Sequence, residues 1–83
     1  MNGWKNQSTW TVNVLFMENI ERMVRNGMGV YEIKNELESY CQVGSMNLYG
    51  RQIFLSAWAE IDWHTLILRA KENVQHTLAV EAN

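Results

Sequence analysis

Two histidines, one cysteine and a scatter of carboxylates are the side chains here that acid–base, nucleophilic or metal chemistry would use, and their spacing argues against each. His64 and His76 stand twelve residues apart, about three and a third turns of one helix and too far to share an ion. Leu68 occupies the position four residues after His64, where a second ligand on the same helix face would stand. Glu72 precedes His76 by four, but one imidazole and one carboxylate read more simply as a solvated ion pair than as a metal site. Cys41 falls on the apolar side of a helical pattern with no base or electropositive neighbour in readable register, so it reads as a buried structural thiol. Of the nearby carboxylates Glu60 and Asp62, Asp62 is committed to capping a helix. Glu32, Glu36 and Glu38 are opposed only by Lys34. That group is either a solvated face or an acidic patch that docks on a basic surface of a partner protein. No catalytic residue, metal or cofactor is expected.

The elements that carry these residues must come from a short chain. Its 83 residues have a hydrophobic share of 47% and a charged share of 19%. That balance supports one packed domain and argues against disorder. Net charge is −2, which lacks the basic footprint of a nucleic-acid binder. One cysteine excludes an internal disulfide, so the domain must pack its core well or borrow surface from a partner. The polar opening Met1 to Gln7 has no secretory pattern, and Val14-Leu15-Phe16-Met17 is too short an apolar run to cross a bilayer. A cytoplasmic setting without membrane contact is the expectation.

Four helices on short turns are expected, forming an all-α, compact, bundle-like single domain over 1–83, with residues 1–7 as an N-terminal arm. The first helix spans about 8–26, with Trp10, Val14, Met17, Glu21 and Val24 as its inward stripe, widened by Leu15, Ile20 and Met23. Asn6 or Ser8 caps it, Gly27 supplies a left-handed C-terminal residue, and Glu18–Arg22 and Glu21–Arg25 are favourable i,i+4 pairs. The second helix, about 30–42, carries Val30, Ile33, Leu37, Tyr40 and Cys41 on one face. The third, about 46–60, has so wide an apolar arc that it reads as the central element, with Gly50 inside it at a cost of about 1 kcal/mol unless a late start excuses it. Asp62 caps the fourth helix, Ile61 and Leu66 form a hydrophobic staple around the cap, and Trp63, Leu66, Ile67, Ala70 and Val74 face the core. Fraying is expected from about 76 to 83.

Aromatic and amide residues complete the pattern. Trp10, Trp58 and Trp63 lie on helical faces and read as core. Trp4, in the arm, is either a lid folded onto the core or an exposed anchor for a partner. Asn13, one turn after Trp10, is expected to bond nearby backbone. A helix-turn-helix DNA binder built on the second and third helices is the alternative function. Its reading helix would offer only Asn47, Arg51 and Gln52, and it predicts salt-sensitive binding that Arg51→Ala abolishes.

Asn2-Gly3-Trp4, Asn6, Thr9-Trp10 and Val12-Asn13, followed later by Ile61-Asp62-Trp63 and Leu66, resemble a family of small uncharacterised bacteriophage proteins. Their openings read approximately NGWxNxxTWxVN, and their second motif reads IDWxxL or VNWxxI. The resemblance implies a phage origin and a host-cytoplasm setting, and it brings no catalytic residues. It further implies action by binding: a small protein that inhibits or modulates a host protein complex, with an anti-defence, anti-CRISPR-like role named first. Trp4, Glu32, Glu36 and Glu38 are the candidate contact residues, and Trp10, Asn13, Asp62 and Trp63 the structural motif. Self-association into a homodimer is a separate expectation, because a stapleless domain with four Trp is apt to leave an apolar patch over.

Overall fold

The computed structural model describes residues 3–81, which fold as an all-α, bundle-like single domain: α1 (Gln7–Arg25), α2 (Val30–Tyr40), a 3₁₀ turn (Val43–Ser45), α3 (Leu48–Ala59) and α4 (Trp63–Glu81). Each boundary has a local cause. Asn6 is extended and accepts the Thr9 N–H on its side-chain oxygen, capping α1. At the other end Met28 N–H reaches the Met23 carbonyl and Gly27 N–H the Val24 carbonyl, with Gly27 left-handed at φ 77°. This is a Schellman closure, and it tucks Met28 against the core that holds Met23. Asn47 caps α3 by accepting Gly50 N–H at 2.7 Å. The helix therefore starts late enough that Gly50 lies in its first turn, where its helix-breaking tendency costs little. Asp62 caps α4 through Thr65, and Ile61 and Leu66 are both buried as the staple requires. Helix continues to Glu81, through most of the stretch expected to fray.

α1 and α4 lie side by side and parallel. Thr9 is bonded to Asp62 near their starts and Glu21 to Asn73 about three turns on, at sequence separations of 53 and 52. A parallel pair needs a crossover, and α2, the 3₁₀ turn and α3 supply it. α2 lies across the pair: Val30 sits by His64, Ile67, Leu68 and Lys71 of α4, while Tyr40 reaches Phe16 and Arg22 of α1. The core is Val12, Ile20 and Met23 of α1, Ile33 and Leu37 of α2, Trp58 of α3, Ile61 before α4, and Trp63, Leu66, Ile67 and Ala70 of α4.

Three expectations are corrected. The inward stripe of α1 opens on Thr9, Val12 and Phe16 in place of Trp10, Val14 and Leu15, and rejoins the expected one at Ile20 and Met23, with Met17 and Val24 partly buried beside them. Trp10, Val14 and Leu15 consequently face outward. The Thr9 hydroxyl meets the α4 cap on this same inward side, accepting Asp62 N–H at 2.9 Å. α3, expected at the centre, is the most peripheral helix. Trp58 is its one fully buried residue, with Phe54 half-buried beside it. The i,i+4 pairs on α1 do not form either. Glu21 accepts from Asn73 of α4 at 3.0 Å, and Arg22 donates to the Tyr40 hydroxyl at 2.7 Å. Arg69–Glu72 is the ion pair found among the described residues, long at 4.0 Å and exposed.

Candidate interaction surface

The residues shared by the two sequence motifs converge at one end of the α1–α4 pair. Asn6 Nδ2 donates to the Glu60 carbonyl at 2.7 Å, and its oxygen accepts both the Thr9 amide at 2.9 Å and the Thr9 hydroxyl at 2.8 Å. The same hydroxyl oxygen accepts Asp62 N–H at 2.9 Å. The Asp62 carboxylate then accepts the amide and hydroxyl of Thr65 at 3.2 and 2.7 Å. The caps of two helices are thus clasped into one polar network, with Thr9 fully buried at its middle. Thr65's two hydrogen bonds hold the Asp62 carboxyl below its ordinary 3.8, with Lys5 and His64 assisting and partial burial opposing. Each side chain of this network is bonded within the fold.

The aromatic residues around the clasp are also structural. Trp58 stacks on Phe54 at 4.7 Å and meets the edge of Trp63 at 4.9 Å, forming the junction between α3 and α4. Trp4 is half-buried against the core, and the Arg69 guanidinium lies 5.3 Å from its ring centre. Of the two roles open to Trp4, this geometry supports the lid. Trp10 is 36% exposed. Asn13 is half-buried on α1, and Asn6 supplies the amide bonds that fasten the arm; Asn2 lies outside the described residues.

The groups weighed for chemistry stay apart. Cys41 is half-buried at the end of α2, and burial, then the charge of Glu38, push its thiol up, away from the nucleophilic thiolate. His64 and His76 are exposed. No group of three or more His, Cys, Asp or Glu that could hold a metal ion occurs among the described residues. No helix among them is long and apolar enough to cross a membrane. Two residues suggested as DNA readers are engaged within the fold: Asn47 in its cap, and Arg51 in donating to the Gly44 carbonyl at 3.3 Å.

Large apolar side chains are exposed on all four helices, Val14 and Leu15 of α1 and Leu78 and Val80 of α4 among them, and two parts of the exposed surface lie on the crossover. On the outward side of α2, Tyr31 is 76% exposed, and Glu32, Asn35 and Glu36 around it are exposed as well. Glu32 also accepts the Gly29 N–H at the helix start, which fixes its position. Glu38 is half-buried. The second part is the outward side of α3, where Leu48, Tyr49 and Ile53 are 63%, 81% and 73% exposed. Sequence reasoning named the acidic residues of the first surface but missed Tyr31, whose position beside Val30 at a helix start gave no periodic signal. It read the apolar residues of α3 as core. Comparison with family models, curated proteins and solved structures returns no match.

Proposed function

We propose that this chain is a small phage-encoded interaction protein that binds a host protein complex and inhibits or modulates it by covering a surface. An anti-defence, anti-CRISPR-like factor acting in the host cytoplasm is the form of that role we place first. The observation that carries the reading is the outer face of α2. There an exposed tyrosine stands in the two-row patch Tyr31–Asn35 and Glu32–Glu36. Tyrosine is among the residues that most often anchor interfaces, since it brings a large apolar area and a hydroxyl at small entropic cost. The flanking carboxylates select a basic partner surface and speed encounter with it.

Affinity purification of the tagged chain from host lysate tests the reading. A stoichiometric host protein is expected with the wild-type chain. It should be retained less at higher salt, and lost with Tyr31→Ala or Glu36→Lys, whose side chains support nothing in the fold. Recovery of no stoichiometric host protein, or equal recovery by both variants, would overturn it.

A further inference from the structure

We infer that the outward face of α3 is a two-fold contact with a second copy of this chain. α3 is apolar around most of its circumference, a pattern that belongs to a buried helix, yet it meets the rest of the fold along one narrow stripe through Phe54 and Trp58. Its outer side has a definite relief. Leu48 and Leu55, two turns apart, form one ridge, and Tyr49 and Ile53, one turn apart, form another. Between them lies a seam of Gln52, Ser56 and Ala59, in which the Ser56 hydroxyl is already satisfied by the Gln52 carbonyl at 3.0 Å. A ridge on either side of a shallow seam is a surface that fits itself when two helices cross about a two-fold axis.

Charge and area both select a second copy as the occupant. Arg51 is the one charged residue in α3, and it is half-buried and bound to Gly44. Along Leu48–Ala59 the outer face carries no other charge, and the exposed carboxylate of Glu60 stands only at its C-terminal end, about two turns from Gln52. With Leu48, Tyr49, Ile53 and Leu55 at 63%, 81%, 73% and 40% exposure, and about 200 Å² for a fully exposed large apolar residue, each copy offers about 500 Å². A two-fold pair would then cover about 1,000 Å² before the polar seam is added, the size at which an interface becomes specific. In that pairing Gln52 lies nearest the axis, where two side-chain amides hydrogen-bond to each other.

Light scattering and sedimentation across micromolar concentrations test this directly. The expected species has twice the 9.7 kDa chain mass. Ile53→Asp should raise the dissociation constant at least about 100-fold, because its carboxylate would be buried without a partner. Far-UV circular dichroism should stay unchanged, because Ile53 is exposed in the single chain. Proximity gives a second readout: in a Cys41→Ser background, Gln52→Cys should cross-link to its own copy far faster than Leu68→Cys, which is exposed on α4. A monomer throughout the concentration range, a dimer indifferent to Ile53→Asp, or equal cross-linking rates would overturn the proposal. A monomeric chain that still captures a host protein through Tyr31 would refute this inference alone. A dimer that captures none would refute only the proposed function.

Discussion

Replacing Thr9 by Val removes one oxygen atom from the middle of the clasp and leaves the volume nearly unchanged. Two hydrogen bonds go with it: the one given to Asn6 Oδ1 at 2.8 Å and the one accepted from Asp62 N–H at 2.9 Å. Asn6 Oδ1 keeps the Thr9 amide, so the first loss costs about 1 kcal/mol. The Asp62 N–H has no other acceptor, and stranding it costs a further 1–2 kcal/mol or so. A total of about 2–3 kcal/mol is a large share of the roughly 4–12 kcal/mol that holds a domain of this length together, and it lowers the melting temperature by about 10–20 °C. Thr9→Ser is the discriminating control. It keeps the hydroxyl and gives up a buried methyl group, for about 1 kcal/mol. Urea titration followed by tryptophan emission should therefore order the proteins wild type, Thr9→Ser, Thr9→Val. Hydrogen exchange at the Asp62 amide should lose protection in Thr9→Val alone. A Thr9→Val protein at least as stable as Thr9→Ser would mean that Thr9 acts by packing, and the clasp argument would fail.

Three further outcomes are expected. Because folding holds the Asp62 carboxyl below its ordinary 3.8, its stabilising contribution is complete above that pH and is lost as the pH falls through the folded value; urea midpoints measured from pH 6 to 2.5 should drop more steeply for wild type than for Asp62→Asn. Trp4→Ala should cost about 2 kcal/mol and Arg69→Ala no more than about 1, since the ring packs on the core and the cation only covers it; an unchanged melting temperature for Trp4→Ala would return Trp4 to the role of a free anchor. Gly27→Ala should cost about 1 kcal/mol by forcing a side chain into the left-handed region at φ 77°, whereas Gly44→Ala, with open space around its Cβ, should stay within about 0.5 kcal/mol in the same titration.

The parts of the fold legible in the sequence are those in which a side chain acts on its own neighbours. Asn6, Gly27 and Asp62 each act within three residues, and the Ile61–Leu66 staple spans one turn and a half, so residue type and offset suffice to place them. The inward face of α4 was legible for a related reason: Leu66, Ile67, Ala70 and Val74 are its only continuous apolar stripe beside polar neighbours. α1 carries apolar residues on two sides, and periodicity cannot choose between them. The observed side is the one that packs Val12, Ile20 and Met23 and bonds Thr9 to a residue 53 positions away, contacts that no local window contains. For α3 the wide apolar arc suggested a central helix, and the structure leaves most of that arc exposed. Apolar composition alone does not report where a helix lies in the fold.

The clasp also changes what the resemblance to phage proteins can say about function. The two motifs that carry it contain Asn6, Thr9, Asp62 and Trp63, and the structure gives each of these a bond or a contact inside the fold. Residues committed in this way specify a scaffold, a parallel α1–α4 pair locked at its caps, and a shared scaffold carries no information about a shared partner. Under the proposed function, recognition would fall to the crossover between the motifs, where Tyr31, Glu36, Tyr49 and Ile53 are exposed. Substitution there should change which protein is bound while leaving the melting temperature within about 1 kcal/mol equivalent, and substitution in the motifs should do the reverse. Measuring stability and host-protein capture on the same set of variants separates the two. If a clasp variant such as Thr9→Val lost capture at a temperature where it remains fully folded, the division of labour between scaffold and crossover would be wrong.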